Sequence, residues 1–256
     1  MKEHRLNAGF GVLLQARSGA TRLPQKMTLP FFKGHGILEV VIQTAVQAFG
    51  HEHVILATTD SNTDDELANI ASSFGIQAFR GSEHDVLQRF IDCAHQFNLN
   101  HVVRICADNP FLRADFLQEL VQDYERLPAD YVSYAFPDQT PIIRSHIGLF
   151  AEVVSVAALE KASFLTKETF YHEHVTNFIY GNPQQFDVRF LSLPELVRSR
   201  NDIRLTVDTI DDFEMASQLF AELQGKGNTL EALLQLLDEK PDMLERMGKL
   251  INTYVK

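Results

Sequence analysis

The sequence predicts an α/β protein whose predominantly parallel sheet carries helices on both faces. Two observations predict it. Short apolar runs alternate with helical patterns of about ten to fifteen residues, and polar turns directly follow the apolar runs. No repeat, low-complexity tract or linker interrupts that order, so residues 1–256 are expected to form a single domain.

The run F-G-V-L-L-Q at 10–15 predicts a buried strand, followed by a Gly-, Pro-, Thr- and cation-rich loop over 16–30. A helix is predicted over 37–49 with Gly50 as its stop, then a strand over 53–59. Thr63-Asp-Asp-Glu66 fits a capping box for a helix that runs to Phe74 and stops at Gly75. A third strand over 76–79, a loop over 80–85, a helix over 85–97 and a strand over 101–106 complete the first half. In the second half, a helix is predicted over 114–126, strands over 130–134, 148–156, 186–193 and 203–207, and a helix over 168–181. Thr209-Ile-Asp-Asp212 is suited to capping a helix that runs to 224, and amphipathic C-terminal helices follow from about 228.

Composition narrows the function classes. Hydrophobic content of 45% with 22% charged residues excludes wholesale disorder. A net charge of −11 argues against a nucleic-acid binder, and no apolar run approaches the roughly 20 residues of a membrane span. Two cysteines, Cys93 and Cys106, are too few for a secreted disulfide framework, so a reducing cytoplasm is the expected location. The charge is uneven: residues 4–38 hold Arg5, Arg17, Arg22, Lys26 and Lys33 and no acid. That stretch carries +5, against −16 over the remainder. A cationic loop in an acidic protein points to a small anionic ligand.

In that loop, Gly19 permits an anion nest of backbone N–H groups, and Arg17, Arg22 and Lys26 supply charge to grip a triphosphate. A solvated basic surface loop is the alternative. The spacing is neither a Walker P-loop nor a dinucleotide fingerprint. Asp108, directly after the strand at 101–106, is placed to hold Mg²⁺ or to serve as a turn residue before Asn109-Pro110. Asp208 repeats the pattern and is a second ligand or an extended helix cap, while Asp211 and Asp212 suit the first turn of the helix dipole. His172-Glu173-His174 is not a zinc motif, because H-x-H on a helix points its imidazoles apart, and His174 is left with a structural or substrate-contact role.

The loop Q-A-R-S-G-A-T-R-L-P-Q-K strongly resembles the opening motif of cytidylyltransferases of the spore coat polysaccharide biosynthesis F type. It is also similar to that of 3-deoxy-manno-octulosonate and acylneuraminate cytidylyltransferases. A-T-T-D, D-D-E-L-A, F-R-G-S-E-H-D-V-L-Q-R-F, V-V-R-I-C-A-D-N-P-F, E-H-V-T-N-F-I-Y and R-L-T-V-D-T follow in family order, from residue 13 to about 220. The resemblance implies a three-layer α/β/α, Rossmann-like nucleotide-diphospho-sugar transferase fold. It further implies Mg²⁺-dependent transfer of CMP from CTP to a sugar, commonly a sugar acid, in a homodimer.

Carried over by residue, Gln15, Ala16, Arg17, Gly19, Arg22 and Lys26 would bind the nucleotide, with Arg17, Lys26 and Asp108 catalytic. Arg80, Ser82 and Arg89 would complete the nucleotide and sugar pocket. Asp108 and Asp208 would hold the metal, and His146, Glu152 and His174 would lie toward the sugar. Four positions depart from the family pattern: Ala20 for Ser, Gln25 for Gly, Asn109 for Cys, and Phe150 for an acid. Two alternatives stay open: a glycosyltransferase or a nucleotidyltransferase with a phosphate or phosphonate acceptor on this fold, and, kept open by the Phe150 departure, a non-catalytic nucleotide-binding subunit.

Overall fold

A computed structural model of the chain describes residues 6–254. The first half alternates β1 (Phe10–Gln15), α1 (Ile37–Phe49), β2 (Val54–Thr59), α2 (Asp65–Ser73), β3 (Gln77–Gly81), α3 (Val86–Gln96), β4 (His101–Cys106) and α4 (Ala114–Arg126). The second half holds β5 (Tyr131–Ala135), β6 (Glu152–Ser155), α5 (Val156–Leu165), α6 (Thr169–Glu173), α7 (Asn177–Tyr180), β7 (Val188–Ser192) and α8 (Glu195–Arg198). It ends with α9 (Ile210–Gln224), α10 (Leu230–Asp238) and α11 (Pro241–Thr253). The seven strands form one sheet in the order β3-β2-β1-β4-β6-β5-β7. Only β6 runs antiparallel to its neighbours, so six strands end on the same edge.

Alternation along the central strands explains the three layers. Val12 and Leu14 of β1 join one apolar cluster with α1, α4 and the C-terminal helices, while Leu13 faces a second cluster with α3 and α5. The chain winds leftward from β1 to β3, then crosses to β4 on the other side of β1. A crevice outside the carboxyl ends of β1 and β4 follows from that reversal, and ligands gather at such a point in open α/β sheets.

The elements differ from expectation where local chemistry overrides pattern. The capping box at Thr63 does not form. Ser61 Oγ accepts from Thr63 N instead, a single 3₁₀ turn spans Asn62–Asp64, and Asp64 turns inward. Strand β3 extends to Gly81 because Arg80 suits an edge position with its guanidinium folded over the neighbouring turn.

The helix expected over 168–181 breaks at His174-Val175-Thr176 into α6 and α7; Val175 and Thr176 are buried there. The strand expected over 148–156 is only Glu152–Ser155, since the Ser155 hydroxyl caps the unforeseen helix α5. Residues 203–207 are buried throughout but form no strand. Leu205 and Thr206 both donate to His146 O, and Val207 donates to Asp108 O, so they bridge turns rather than join a ladder. Thr209 and Asp212 do form a reciprocal capping box at the start of α9.

Candidate active site

Gln15 and Cys106, the last residues of β1 and β4, are neighbours in the sheet, and Ala107 N donates to Gln15 O. The basic loop and Asp108 therefore leave the sheet side by side. The loop is pinned by Asp64, a residue the sequence reading did not single out. Its buried carboxylate accepts from Ser18 N at 2.7 Å, Thr58 Oγ1 at 2.8 Å, Thr59 Oγ1 at 2.6 Å and Thr59 N at 3.1 Å. Burial pulls its pKa upward, but the hydrogen bonds from Thr59, Ser18 and Thr58 outweigh that and hold it below 3.8.

Gly19 does not take a left-handed conformation. The left-handed residue of the loop is Gln25, with φ 56°, and it closes the turn that delivers Lys26. A Gly at that position would be relaxed, which accounts for the family preference that Gln25 departs from.

Lys26 is the centre of the arrangement. Its buried Nζ lies 3.2 Å from Asp108 Oδ2, 3.4 Å from Asp208 Oδ1 and 2.7 Å from Val207 O. Desolvation alone would lower its pKa, but the two carboxylates outweigh it and the net shift is upward, so Lys26 is a fixed cation. Asp108 and Asp208, 100 residues apart in sequence, thus face one point. Arg22 Nη2 reaches Asp208 Oδ1 at 3.3 Å.

Asp208 is held from behind. The buried Arg204 grips Asp212 with Nε at 2.6 Å and Nη2 at 2.8 Å, and its Nη2 reaches Asp208 Oδ2 at 3.5 Å. Asp212 Oδ2 accepts the backbone N–H groups of Asp208 at 3.0 Å and Thr209 at 2.9 Å. Asp212 therefore does more than complement a helix dipole: it fixes the backbone that presents Asp208.

Lys26, Arg22, Asp108 and Asp208 line a cleft of about 290 Å³, with Arg204 and Asp212 behind it. Of the residues proposed from sequence, Gln15, Ala16, Arg17, Arg22, Lys26, Asp108, Asp208 and His174 line it. Arg17 pairs with Glu173 at 3.4 Å across the mouth. Burial lowers the His174 pKa against an opposing pull from Glu173, with Arg104 adding to the effect, which favours the neutral imidazole.

The remaining residues lie outside this lining. Arg80 donates to Thr59 O, Ser61 O and Asp65 Oδ1, holding the turn after β2. Ser82 and Arg89 belong to the entry of α3: Ser82 Oγ accepts from Asp85 N, and the fully buried Arg89 donates to Ser82 O at 2.7 Å. Burial and the nearby Arg17 pull the Arg89 pKa down to about 10. His146 is buried against Arg204.

Glu152, only 1% exposed, accepts from Arg104 Nη1, from Tyr131 OH at 2.5 Å and from Thr176 Oγ1 at 2.9 Å. Its carboxylate does not line the cleft. It acts through Arg104, whose Nε and Nη2 both donate to Gln15 Oε1, turning the Gln15 amide nitrogen away from them. Phe150 is also buried, stacked on Phe116 at 4.7 Å with rings 16° apart and touching Tyr134. Its departure from the family pattern therefore alters the core rather than the cleft.

Comparison with known proteins agrees with this geometry. A family model described as Cytidylyltransferase matches residues 12–240. Spore coat polysaccharide biosynthesis protein SpsF of Bacillus subtilis is 31% identical over 236 residues, covering 90% of this chain and 94% of that protein. A cytidylyltransferase from Leptospira borgpetersenii superposes with TM-score 0.82 at 27% identity, covering 93% of this chain and 97% of that one. CMP:2-keto-3-deoxy-manno-octonic acid synthetase complexed with CTP shares the fold, with TM-score 0.62 at 18% identity over 84% of this chain and 99% of that one. The chain belongs to the cytidylyltransferase family and is a nucleotidyltransferase of α/β, Rossmann-like fold.

Proposed function

We propose that the protein transfers CMP from CTP to a hydroxyl of a sugar, specifically a sugar acid, with release of pyrophosphate. The carrying observation is the convergence of Asp108 and Asp208 on one point, with Lys26, Arg22 and Arg17 on the same cleft. The names of two relatives support the choice of substrates, one assigned to polysaccharide biosynthesis and one a CMP-sugar-acid synthetase complexed with CTP.

The donor set fits a hard divalent cation bound together with substrate phosphates. Mg²⁺ takes one or two carboxylates plus phosphate oxygens and water, and two carboxylates are what converge here. Among the described residues no group of three or more His, Cys, Asp and Glu forms an all-protein cage. Asp108 and Asp208 would hold the ion, which when bound neutralises phosphate charge and lowers the pKa of the attacking hydroxyl.

The chain's own residues do the rest. Arg17 and Arg22 grip the β- and γ-phosphates, and Lys26 faces the charge that grows on the departing pyrophosphate. The hydroxyl oxygen bonds to the α-phosphorus, the bond to the bridging oxygen breaks, and the hydroxyl proton passes to solvent. Gln15, with its amide N–H groups free of Arg104, and neutral His174 supply uncharged contacts for the nucleoside or the acceptor. A homodimer in the cytoplasm, where CTP is made, completes the proposal.

Pyrophosphate release with CTP, UTP, ATP and GTP over a panel of sugar acids, neutral sugars and sugar phosphates tests it. Release with CTP and a sugar acid supports the reading. Release only with a phosphate-bearing acceptor overturns the sugar-acid assignment. CTP binding with no release under any acceptor overturns transfer itself.

A further inference from the structure

The turn after α11 meets Arg22, one of the residues that line the cleft. Helix α11 ends at Thr253, and the ring of the half-buried Tyr254 lies under two guanidinium groups, with Arg22 Cζ 5.2 Å and Arg204 Cζ 5.6 Å from its centroid. Both arginines also reach the Asp208 carboxylate, Arg22 at Oδ1 and Arg204 at Oδ2. The backbone of the same residue is fixed: Tyr254 O accepts from His146 Nε2 at 2.7 Å, and His146 Nδ1 accepts from Arg204 Nη1 at 2.7 Å. Arg22 is otherwise a long side chain about half exposed to solvent, with one ion pair at 3.3 Å. Such a side chain spends its rotamer freedom when it is held in one posture.

We propose that Tyr254 is a positioning residue of the nucleotide site: its ring holds Arg22 beside Asp208 ready for the triphosphate, so the C-terminal turn sets the affinity for CTP. The proposal rests on the reading of Arg22 as a triphosphate ligand. A cation over an aromatic face contributes enough to change an affinity several-fold, and preorganising Arg22 removes an ordering cost from binding.

Calorimetric titration of CTP in Mg²⁺ tests it with wild type, Tyr254→Leu, Tyr254→Phe, Arg22→Ala and the Arg22→Ala/Tyr254→Leu double variant. Tyr254→Leu is expected to weaken CTP binding about fivefold, and Tyr254→Phe, which keeps the ring, to restore it to within about twofold. The double variant should bind no worse than Arg22→Ala alone, because the ring acts through that arginine. Wild-type affinity in Tyr254→Leu, with Arg22→Ala weakened, overturns the role of Tyr254 and spares that of Arg22. Unchanged affinity in Arg22→Ala overturns both. Equal weakening by Phe and Leu assigns the effect to the hydroxyl, and additive losses place it elsewhere; each overturns the proposal. Tyr254→Met, apolar and unbranched without a π face, takes the place of Tyr254→Leu should that variant not fold.

Discussion

Two acid–base clusters meet strands β1 and β4, and they differ in what they leave open. Around Glu152, Arg104, Tyr131 and Thr176 occupy both carboxylate oxygens, and the acid is 1% exposed. Around Lys26, Asp108 and Asp208 share one ammonium, and their side chains keep 26% and 12% exposure. Both set carboxylate against a buried cation. The difference lies in access: the first cluster fixes Gln15 and the sheet, while the second lies at the cleft, where the proposed function would have it exchange cation contacts for a metal and phosphates.

The largest expected effect separates chemistry from folding. Asp108→Asn should cut pyrophosphate release by about 10⁴-fold, about 5.4 kcal/mol in barrier, while urea unfolding shifts by less than about 1 kcal/mol. Loss of stability of several kcal/mol in that variant would make the open cluster structural and erase the contrast.

Glu152→Ala should do the reverse. Removing one partner of a buried pair leaves Arg104 uncompensated, which costs about 3–5 kcal/mol in urea unfolding. A variant of wild-type stability that no longer binds CTP would place Glu152 in the ligand site after all.

Lys26→Met sharpens the comparison further. CTP affinity should fall about 10- to 100-fold, the scale of about 1.5–3 kcal/mol for a charged hydrogen bond. Mg²⁺ alone should raise the melting temperature of this variant more than that of wild type, because no ammonium then competes for the two carboxylates. An equal Mg²⁺ shift in both proteins would mean that the ion binds elsewhere.

The smallest effect concerns Asp64, the anchor of the basic loop. Its folded pKa lies below the 3.8 of the free group, so its contribution to stability is complete above about pH 4 and is lost as pH falls through the folded value. Unfolding free energies followed from pH 7 to pH 3 should therefore fall less steeply below pH 4 in Asp64→Asn than in the wild type. Parallel curves for the two proteins would remove Asp64 from the set of anchors.

The cleft was legible in the sequence because strand-end placement is a backbone property. Once residues 10–15 and 101–106 form parallel neighbours, the loop at 16–30 and Asp108 must leave the sheet together. The supports were not legible. Asp64 looked like part of a helix cap, yet its carboxylate turns inward to Ser18, a contact across 46 positions. Asp212 and Arg204 looked like ordinary cap and strand residues, and only the turn at His146 reveals why 203–207 is buried without a ladder.

Arg80, Ser82 and Arg89 came from a motif block, and Glu152 and His146 from the resemblance outside the blocks; a resemblance marks residues that hold a site and residues that touch a ligand alike. Pattern alone does not separate the two; burial and access to the cleft do. The break of 168–181 into two short helices was invisible for a similar reason, since the burial of Val175 and Thr176 is set by contacts distant in sequence.

The most direct measurement is anomalous diffraction from crystals grown with CTP and Mn²⁺. A single strong peak bonded to both Asp108 and Asp208, with the triphosphate reaching Arg17, Arg22 and Lys26, is the predicted result. CTP bound with no metal between those two carboxylates, or with its triphosphate away from the basic loop, would contradict it.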